Sequence, residues 1–181
     1  MEFEREKQSL LLEGVRYTAN DLHLLKTKAV GASDSSTGQM LYDFLQEWFT
    51  ESPWMTVHTS GSTGKPKKIR ISKDKMMQSA RLTCEFLNLQ IGDTALLCMN
   101  LRYIGAMMVV VRSLVAGLNL IIRPASGHPL ADMKQPLRFA AMVPLQVYNT
   151  LQVPEEKERL RQTDVLIIGG GAIDEALEAE I

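Results

Sequence analysis

The chain has 181 residues, with 20 Lys and Arg against 21 Asp and Glu and a formal net charge of −1. This balance excludes a general nucleic-acid binder or a membrane-surface binder, since both need an excess of basic residues. Hydrophobic residues make up 45% of the chain, as in ordinary globular proteins. Two cysteines, Cys84 and Cys98, cannot form a disulfide framework, and no apolar leader opens the chain, so we expect a cytoplasmic protein.

The first 52 residues are predicted to be a helical segment. A short apolar run at 10–12 is followed by a helix that begins after Thr18, a candidate N-cap, and ends near Val30. Small and polar residues predict a loop over 31–38. A second helix follows, with apolar residues at helical spacing: Met40, Leu41, Phe44, Leu45, Trp48 and Phe49.

From residue 53 to 181, short apolar runs alternate with longer helical patterns. Helices are predicted after Ser72, from Tyr103 to Ala116, and from Pro144 onward. The apolar runs are continuous rather than alternating, which is typical of strands buried on both faces. The fold class is therefore α/β, a largely parallel sheet covered by helices. The predicted strands are 54–59, 95–99, 119–122, 139–143 and 165–168.

The most informative segment has the sequence HTSGSTGKPKK, at residues 58–68, directly after a predicted strand. Glycines allow backbone N–H groups to turn toward an anion, and hydroxyl groups add donors, so a polyphosphate is the expected ligand. The segment is not a Walker A loop, because Pro66 follows Lys65 and Thr59 occupies the place of the first glycine. A flexible hairpin with a basic, solvated edge is the alternative. The basic residues that surround a single acidic residue, Asp74, are Lys65, Lys67, Lys68, Arg70, Lys73 and Lys75.

The string TSGSTGKPK resembles the signature phosphate loop of the adenylate-forming, AMP-binding superfamily, which includes acyl- and aryl-CoA synthetases. The resemblance implies the large N-terminal domain of such an enzyme, with residues 53–181 as its nucleotide-binding portion. It also implies ATP with Mg²⁺ and, as cosubstrate, CoA. A carboxylate and ATP would give acyl-AMP and pyrophosphate, and the thiol of CoA would then displace AMP. The implied phosphate-binding residues are Thr59, Ser60, Gly61, Ser62, Thr63, Gly64, Lys65 and Lys67.

Two downstream segments extend this resemblance. Residues 97–105, LCMNLRYIG, stand where the family reads L-P-L-F-H-x-x-G, with Asn100 for the proline and Tyr103 for the histidine. The resemblance makes Tyr103 a gate between the acyl pocket and the thiol tunnel, followed by Gly105; packing at a helix start is the alternative. The second segment follows the last predicted strand and resembles the family's adenine-binding segment: Gly169, Gly170, Gly171 and Ala172.

One stretch, VRSLVAG at 111–117, is similar to o-succinylbenzoate–CoA ligases of menaquinone biosynthesis. A dicarboxylate substrate would need a cation for its second carboxylate, which gives Arg102 or Arg112 a role. A surface or boundary arginine is the alternative at either position. Three histidines are scattered, so we expect no protein metal site, and we expect EEKERLR at 155–161 to be a solvated helix face.

The family's Y-G-x-T-E motif and its catalytic lysine are not among the 181 residues. We therefore expect the N-terminal piece of an o-succinylbenzoate–CoA ligase, inactive alone and without a catalytic residue of its own. The alternatives are an adenylation enzyme for another aryl or acyl acid or for a carrier protein, and a non-catalytic nucleotide-binding fragment. An incomplete sheet exposes an edge, which favours a homo-oligomer.

Overall fold

A computed structural model of the chain describes residues 3–30, 35–58 and 68–180. Within these ranges the chain forms eight strands, seven α-helices and two short 3-10 helices, Arg5–Lys7 and Ala19–Asp21. The strands are β1 (Leu10–Leu12), β2 (Val15–Tyr17), β3 (Trp54–His58), β4 (Lys68–Ser72), β5 (Thr94–Leu97), β6 (Asn119–Ile122), β7 (Phe139–Met142) and β8 (Val165–Ile168). The helices are α1 (Leu22–Val30), α2 (Ser35–Trp48), α3 (Lys73–Phe86), α4 (Ile104–Ala116), α5 (Pro144–Leu151), α6 (Pro154–Arg161) and α7 (Glu175–Glu180).

The main sheet has six strands in the order β2-β1-β6-β5-β7-β8. All neighbours are parallel except β1 and β2, which form an antiparallel hairpin through a turn at Glu13 and Gly14. The central strands are buried on both faces. In β5, Ala95 and Leu97 belong to one apolar cluster, whereas Leu96 belongs to a second cluster. This confirms the predicted parallel α/β sheet and explains why its strands read as continuous apolar runs.

The helices cover the sheet through apolar stripes. Helix α4 is apolar nearly all round because it lies between α3 and the sheet, and Val109, Val110 and Val111 are all fully buried. It ends at Gly117, whose φ of +68° gives the left-handed C-cap that glycine adopts most easily. No helix in the described part of the chain is both long and apolar enough to cross a membrane.

The first 52 residues are not only helical. They supply β1 and β2 to the main sheet, and Leu12 of β1 lies opposite Leu120 of β6. The first half of the loop predicted at 31–38 lies outside the described residues, and its second half is wrong, because α2 begins at Ser35 and Thr37 within it is buried. Packing of α2 against α1 overrides the low helix propensity of these small residues.

Strands β3 and β4 form a separate antiparallel hairpin, in which His58 pairs with Lys68 and Trp54 with Ser72. The sequence predicted β3 as a strand, and its last expected residue, Thr59, lies outside the described residues. Ser72 is the N-cap residue of α3, as predicted, although its side chain makes no capping hydrogen bond.

Helix α6 is not the fully solvated face that the sequence predicted. Glu156 is buried, and its Oε1 atom lies 2.9 Å from Nδ1 of His128 in the connection between β6 and β7. Arg159 donates hydrogen bonds to the carbonyl oxygens of Leu130 and Ala131 in the same connection. Glu156 and Leu160 are four residues apart, so the buried stripe of this helix includes a carboxylate.

Candidate functional site

The five parallel strands of the main sheet, β1, β6, β5, β7 and β8, all end at one edge. Open α/β sheets bind ligands at the carboxyl ends of their strands, so this edge is the first place to look for a site. Both downstream segments that the sequence singled out lie here. The segment beginning at Cys98 follows β5, and the segment beginning at Gly169 follows β8.

The glycine segment exposes its backbone. The N–H of Gly169 donates to the carbonyl oxygen of Met142 over 3.1 Å, which fixes the segment to the end of β7. Gly170 has a φ of +83°, and a Cβ added there would lie 3.4 Å from Val143 Cγ1. Gly170, Gly171 and Ala172 are exposed. A planar group can therefore approach the peptide backbone without meeting a side chain.

The segment after β5 turns sharply at Asn100. Its Oδ1 atom accepts from the N–H of Arg102 over 2.9 Å, and its carbonyl oxygen accepts from the N–H of Tyr103 over 3.1 Å. Asparagine suits this turn because its side chain can accept from the backbone two residues on. Tyr103 then stands at the N-cap of α4, about half exposed, with Arg102 and Gly105 exposed beside it.

Arg102 and Arg112, the two candidates for binding a second carboxylate, lie in different parts of the structure. Arg102 is exposed next to Tyr103, at the carboxyl edge. Arg112 lies within α4, over the ring of Phe139, which is the first residue of β7 and so belongs to the opposite end of that strand. Burial lowers the pKa of the Arg112 guanidinium, and its Nε atom has no hydrogen-bond partner among the described residues. The structure therefore does not bring Arg112 to the edge that carries Tyr103.

The predicted phosphate-binding residues, Thr59 through Gly64 with Lys65 and Lys67, lie outside the described residues. Their two neighbours are described, because His58 ends β3 and Lys68 begins β4 as paired residues. The predicted basic cluster is divided. Arg70 lies over the ring of Trp54, with 5.1 Å from its Cζ atom to the ring centre. Lys73 is fully buried and is therefore not part of a surface patch.

Lys73 is held in a buried pocket beside α2. Its Nζ atom donates to the carbonyl oxygen of Thr50 over 2.8 Å and lies 4.4 Å from the centre of the Phe3 ring. Burial lowers the pKa of Lys73 to about 8, and the negative charge of Glu47 opposes this shift. The neighbouring Asp74 accepts from the N–H of Phe3, so the start of α3 is tied to the amino-terminal residues.

Sequence reasoning missed Gln146, the third residue of α5. This side chain is 5% exposed, and its Nε2 atom donates to the carbonyl oxygens of Cys98 and Ser126, each over 2.8 Å. Its Oε1 atom accepts from the N–H of Val143 over 3.2 Å. A glutamine three residues after an N-cap position is the second half of a capping box, and that spacing was the signal available in the sequence.

The cysteines are not candidates for nucleophiles. Cys98 is fully buried below the carboxyl edge, and burial raises its pKa to about 12. Burial also raises the pKa of the Cys84 thiol. Among the described residues, no group of three or more His, Cys, Asp or Glu side chains is arranged to bind a metal ion.

This α/β architecture, with an exposed glycine segment at the carboxyl edge of a parallel sheet, defines a nucleotide-binding type of domain. The match to known families is specific. Residues 11–181 match the family described as AMP-binding enzyme, and the chain belongs to that family.

Individual relatives agree with this assignment. The chain is 30% identical over 82 residues to the 2-succinylbenzoate–CoA ligase of Bacillus mycoides (strain KBAB4), which is 45% of this chain and 17% of the relative. An acyl-CoA synthetase (AMP-forming)/AMP-acid ligase II-like protein from Dyadobacter fermentans is 30% identical, with a TM-score of 0.76 over 87% of this chain and 45% of that protein.

A third structure, O-succinylbenzoate Coenzyme A Synthetase from Bacillus subtilis in complex with AMP, is 21% identical over 69% of this chain and 26% of that protein. Its TM-score is 0.57, and it supports the fold alone. The chain thus spans less than half of the length of each of these three relatives.

Proposed function

We propose that this chain belongs to an ATP-dependent carboxylate–CoA ligase that forms an acyl-adenylate and then a thioester. The observation that carries the proposal is the glycine segment at the end of β8, with its backbone exposed in a chain of the AMP-binding enzyme family. An exposed backbone at the carboxyl edge offers N–H and C=O groups to an adenine ring. Gly169 to Ala172 would hold the adenine, while Thr59 to Lys67 would hold the phosphates.

The loop after β3 would act by charge and backbone donors. Glycine-rich backbone turns N–H groups toward phosphate oxygens, and Lys65 and Lys67 would compensate the negative charge of pyrophosphate as it leaves. Mg²⁺ would enter bound to the phosphates of ATP. The acid would bind beside Tyr103, whose ring would separate it from the approaching thiol of CoA.

We propose 2-succinylbenzoate as the acid. The identity with the Bacillus ligases, 30% over 82 residues, supports this choice, as does the position of Arg102. 2-Succinylbenzoate has two carboxylates, and only one is activated. Arg102 is exposed beside Tyr103 and could pair with the other carboxylate. Residues 1–181 alone should bind nucleotide without forming thioester, because the family's catalytic lysine is not among them.

The test is ATP–pyrophosphate exchange by the full-length gene product with a panel of aryl and acyl acids. We expect the fastest exchange with 2-succinylbenzoate, followed by thioester formation when CoA is added. Exchange with another acid but not with 2-succinylbenzoate would overturn the proposed substrate. Exchange without transfer to CoA would favour a carrier-protein acceptor, and nucleotide binding without any exchange would favour a non-catalytic protein.

Arg102→Met separates the role of this arginine from general charge. The variant should raise KM for 2-succinylbenzoate about tenfold or more, and leave KM for benzoate-type monocarboxylates unchanged. Arg81→Met is the matched control, because Arg81 is exposed on α3 and pairs only with Glu85 among the described residues. Equal effects of the two variants would remove Arg102 from the proposal.

A further inference from the structure

Gln146 links the two site segments of the carboxyl edge to each other. Through Nε2 it binds the carbonyl oxygen of Cys98, from which the chain runs to Asn100 and Tyr103. Through Oε1 it accepts from the N–H of Val143, whose Cγ1 atom would lie 3.4 Å from a Cβ added at Gly170. One neutral amide therefore contacts the backbone of Cys98, where the Tyr103 segment begins, and the backbone of Val143, which neighbours the glycine segment.

The same amide fixes a third connection. Its second Nε2 donation, to the carbonyl oxygen of Ser126, holds the chain that follows β6. These partners are 3, 20 and 48 residues away in sequence, so no local structure keeps them together. At 5% exposure, water cannot readily replace the bonds to Gln146.

The glycine segment depends on this support in a second way. Gly169 donates to the carbonyl oxygen of Met142, the residue directly before Val143. A Cβ on Gly171 would lie 3.4 Å from Pro144, directly after Val143. Residues 142–144 thus neighbour all three glycines, through the carbonyl oxygen of Met142 and the side chains of Val143 and Pro144, and Gln146 accepts from the N–H of Val143.

We propose that Gln146 is a positioning residue, whose buried amide holds the glycine segment and the Tyr103 segment in one fixed arrangement and thereby sets nucleotide affinity. Only the effect on nucleotide affinity rests on the proposed function; the positioning of the two segments does not. Gln146 touches neither adenine nor acid in this assignment; it acts through Val143 and Cys98.

The experiment compares Gln146→Met with Gln152→Met in the 181-residue chain. Methionine keeps the length and unbranched shape of glutamine and removes the amide's bonds to the backbone of Cys98, Ser126 and Val143, together with the bond that Oε1 accepts from the Cys98 thiol. Gln152 is the matched control, because it is an exposed glutamine at the end of the same helix. The readouts are AMP affinity by calorimetry and amide hydrogen exchange resolved by residue, with circular dichroism to verify that both variants are folded.

Exchange at the Val143 and Gly169 amides should become about tenfold faster in Gln146→Met. The amide of Val165 should not change, because it donates to Arg138 at the opposite end of β8. AMP affinity should fall about tenfold, and Gln152→Met should match the unmodified chain in both readouts. If Gln146→Met does not fold, Gln146→Asn, which keeps the amide but shortens its reach, takes its place.

The outcomes separate the two proposals. Unchanged exchange at Val143 and Gly169, or equally faster exchange at Val165, overturns the positioning role. Faster exchange with unchanged AMP affinity overturns the step from position to affinity. If the unmodified chain and the full-length protein both fail to bind AMP, the proposed function is wrong, and local exchange still decides whether Gln146 positions the edge.

Discussion

Two regions of this molecule use the same device with different chemistry. At the carboxyl edge of the main sheet, Gln146 of α5 reaches from a helix start to the backbone of neighbouring segments. Beside the β3–β4 hairpin, Lys73 of α3 reaches from a helix start to the backbone of Thr50. Both side chains are buried, but Gln146 lies beside the glycine segment, whereas Lys73 lies at the end of the hairpin where Trp54 pairs with Ser72, away from the His58–Lys68 pair that flanks the predicted phosphate loop. One is a neutral amide, whereas the other carries a proton that burial destabilises.

This difference concerns what each region responds to. A buried amide has no proton to lose near neutral pH, so the carboxyl edge keeps the same bonds across the physiological range. A buried lysine with a pKa of about 8 changes its charge state just above neutrality. The hairpin side should therefore respond to pH, and the sheet edge should not.

The largest effect tests how much the neutral amide contributes. Gln146→Met should lower the free energy of unfolding by about 2–3 kcal/mol, because it leaves two carbonyl groups and one N–H without partners. Urea unfolding is the measurement. Gln152→Met should stay within about 0.5 kcal/mol. Similar losses in the two variants would mean that the amide bonds at the carboxyl edge do not contribute as described.

Replacing Lys73 should lower the free energy of unfolding less than replacing Gln146. Lys73→Met should cost about 1 kcal/mol at pH 7, because the loss of the two hydrogen bonds to Thr50 and of the contact with the Phe3 ring is partly offset by removing the cost of burying a charge. Urea unfolding at pH 7, next to Gln146→Met, makes the comparison direct. A loss larger than that of Gln146→Met would reverse the ranking of the two regions.

The pH dependence should separate the regions most clearly. The unfolded chain keeps the proton of Lys73 to a higher pH than the folded chain, whose pKa is about 8. Between about pH 8 and 10.5, the unfolded state thus binds more protons, and stability from this residue rises with pH. Between pH 7 and pH 10, the unfolding free energy of the unmodified chain should rise relative to that of Lys73→Met. The difference in unfolding free energy between the unmodified chain and Gln146→Met should stay constant over the same range, because both contain Lys73.

Gly170→Ala tests whether Gln146 holds the glycine segment through Val143. An alanine at a φ of +83° should cost about 1 kcal/mol, with its Cβ against Val143. Gly169→Ala is the control, since a Cβ there meets nothing within 4 Å and φ is not positive. In the Gln146→Met background the cost at Gly170 should shrink, because Val143 is released. Strict additivity in this double-mutant cycle would contradict the link through Val143.

The smallest effect concerns the surface of the hairpin. Arg70→Met should cost about 0.5 kcal/mol through the lost contact with the Trp54 ring. Lys68→Met, on the same strand and also exposed, should cost less. Equal values from thermal unfolding would show that the ring contact adds nothing to the hairpin.

Much of the sheet could be predicted from the sequence. Both ends of β6 and of β8 were predicted correctly, because polar residues or glycine mark where each strand begins and ends: Asn119 opens β6 and Arg123 follows it, and β8 lies between Asp164 and Gly169. The β1–β2 hairpin was missed. Its strands have three residues each, and its turn places a glutamate, Glu13, at a φ of 47°. Such a turn has no strong signal, since glycine or asparagine usually occupies that position.

The candidate site divides in the same way. Gly169 to Gly171 and Tyr103 were singled out because they belong to local motifs; the structure places both segments at one edge, and their roles stay predictions. Gln146 could not be found by periodicity, since a polar residue on an amphipathic helix reads as exposed. Arg112 and Arg102 were both considered for the second carboxylate. Arg102 precedes α4 at the carboxyl edge, whereas Arg112 lies within α4, over Phe139 at the other end of β7. Distances between segments come from the sheet order, which local pattern does not contain.

The sheet order also has a consequence for the time course of folding. Strand β1 pairs with β6 about a hundred residues later in the chain, so closing that pair costs loop entropy before any contact compensates it. During synthesis, β1 can pair only with its hairpin partner β2, and Leu10 and Leu12 lack the parallel neighbour β6 until that strand has been made. The earliest apolar residues of the chain are thus among the last to be covered, and refolding should be limited by this docking step.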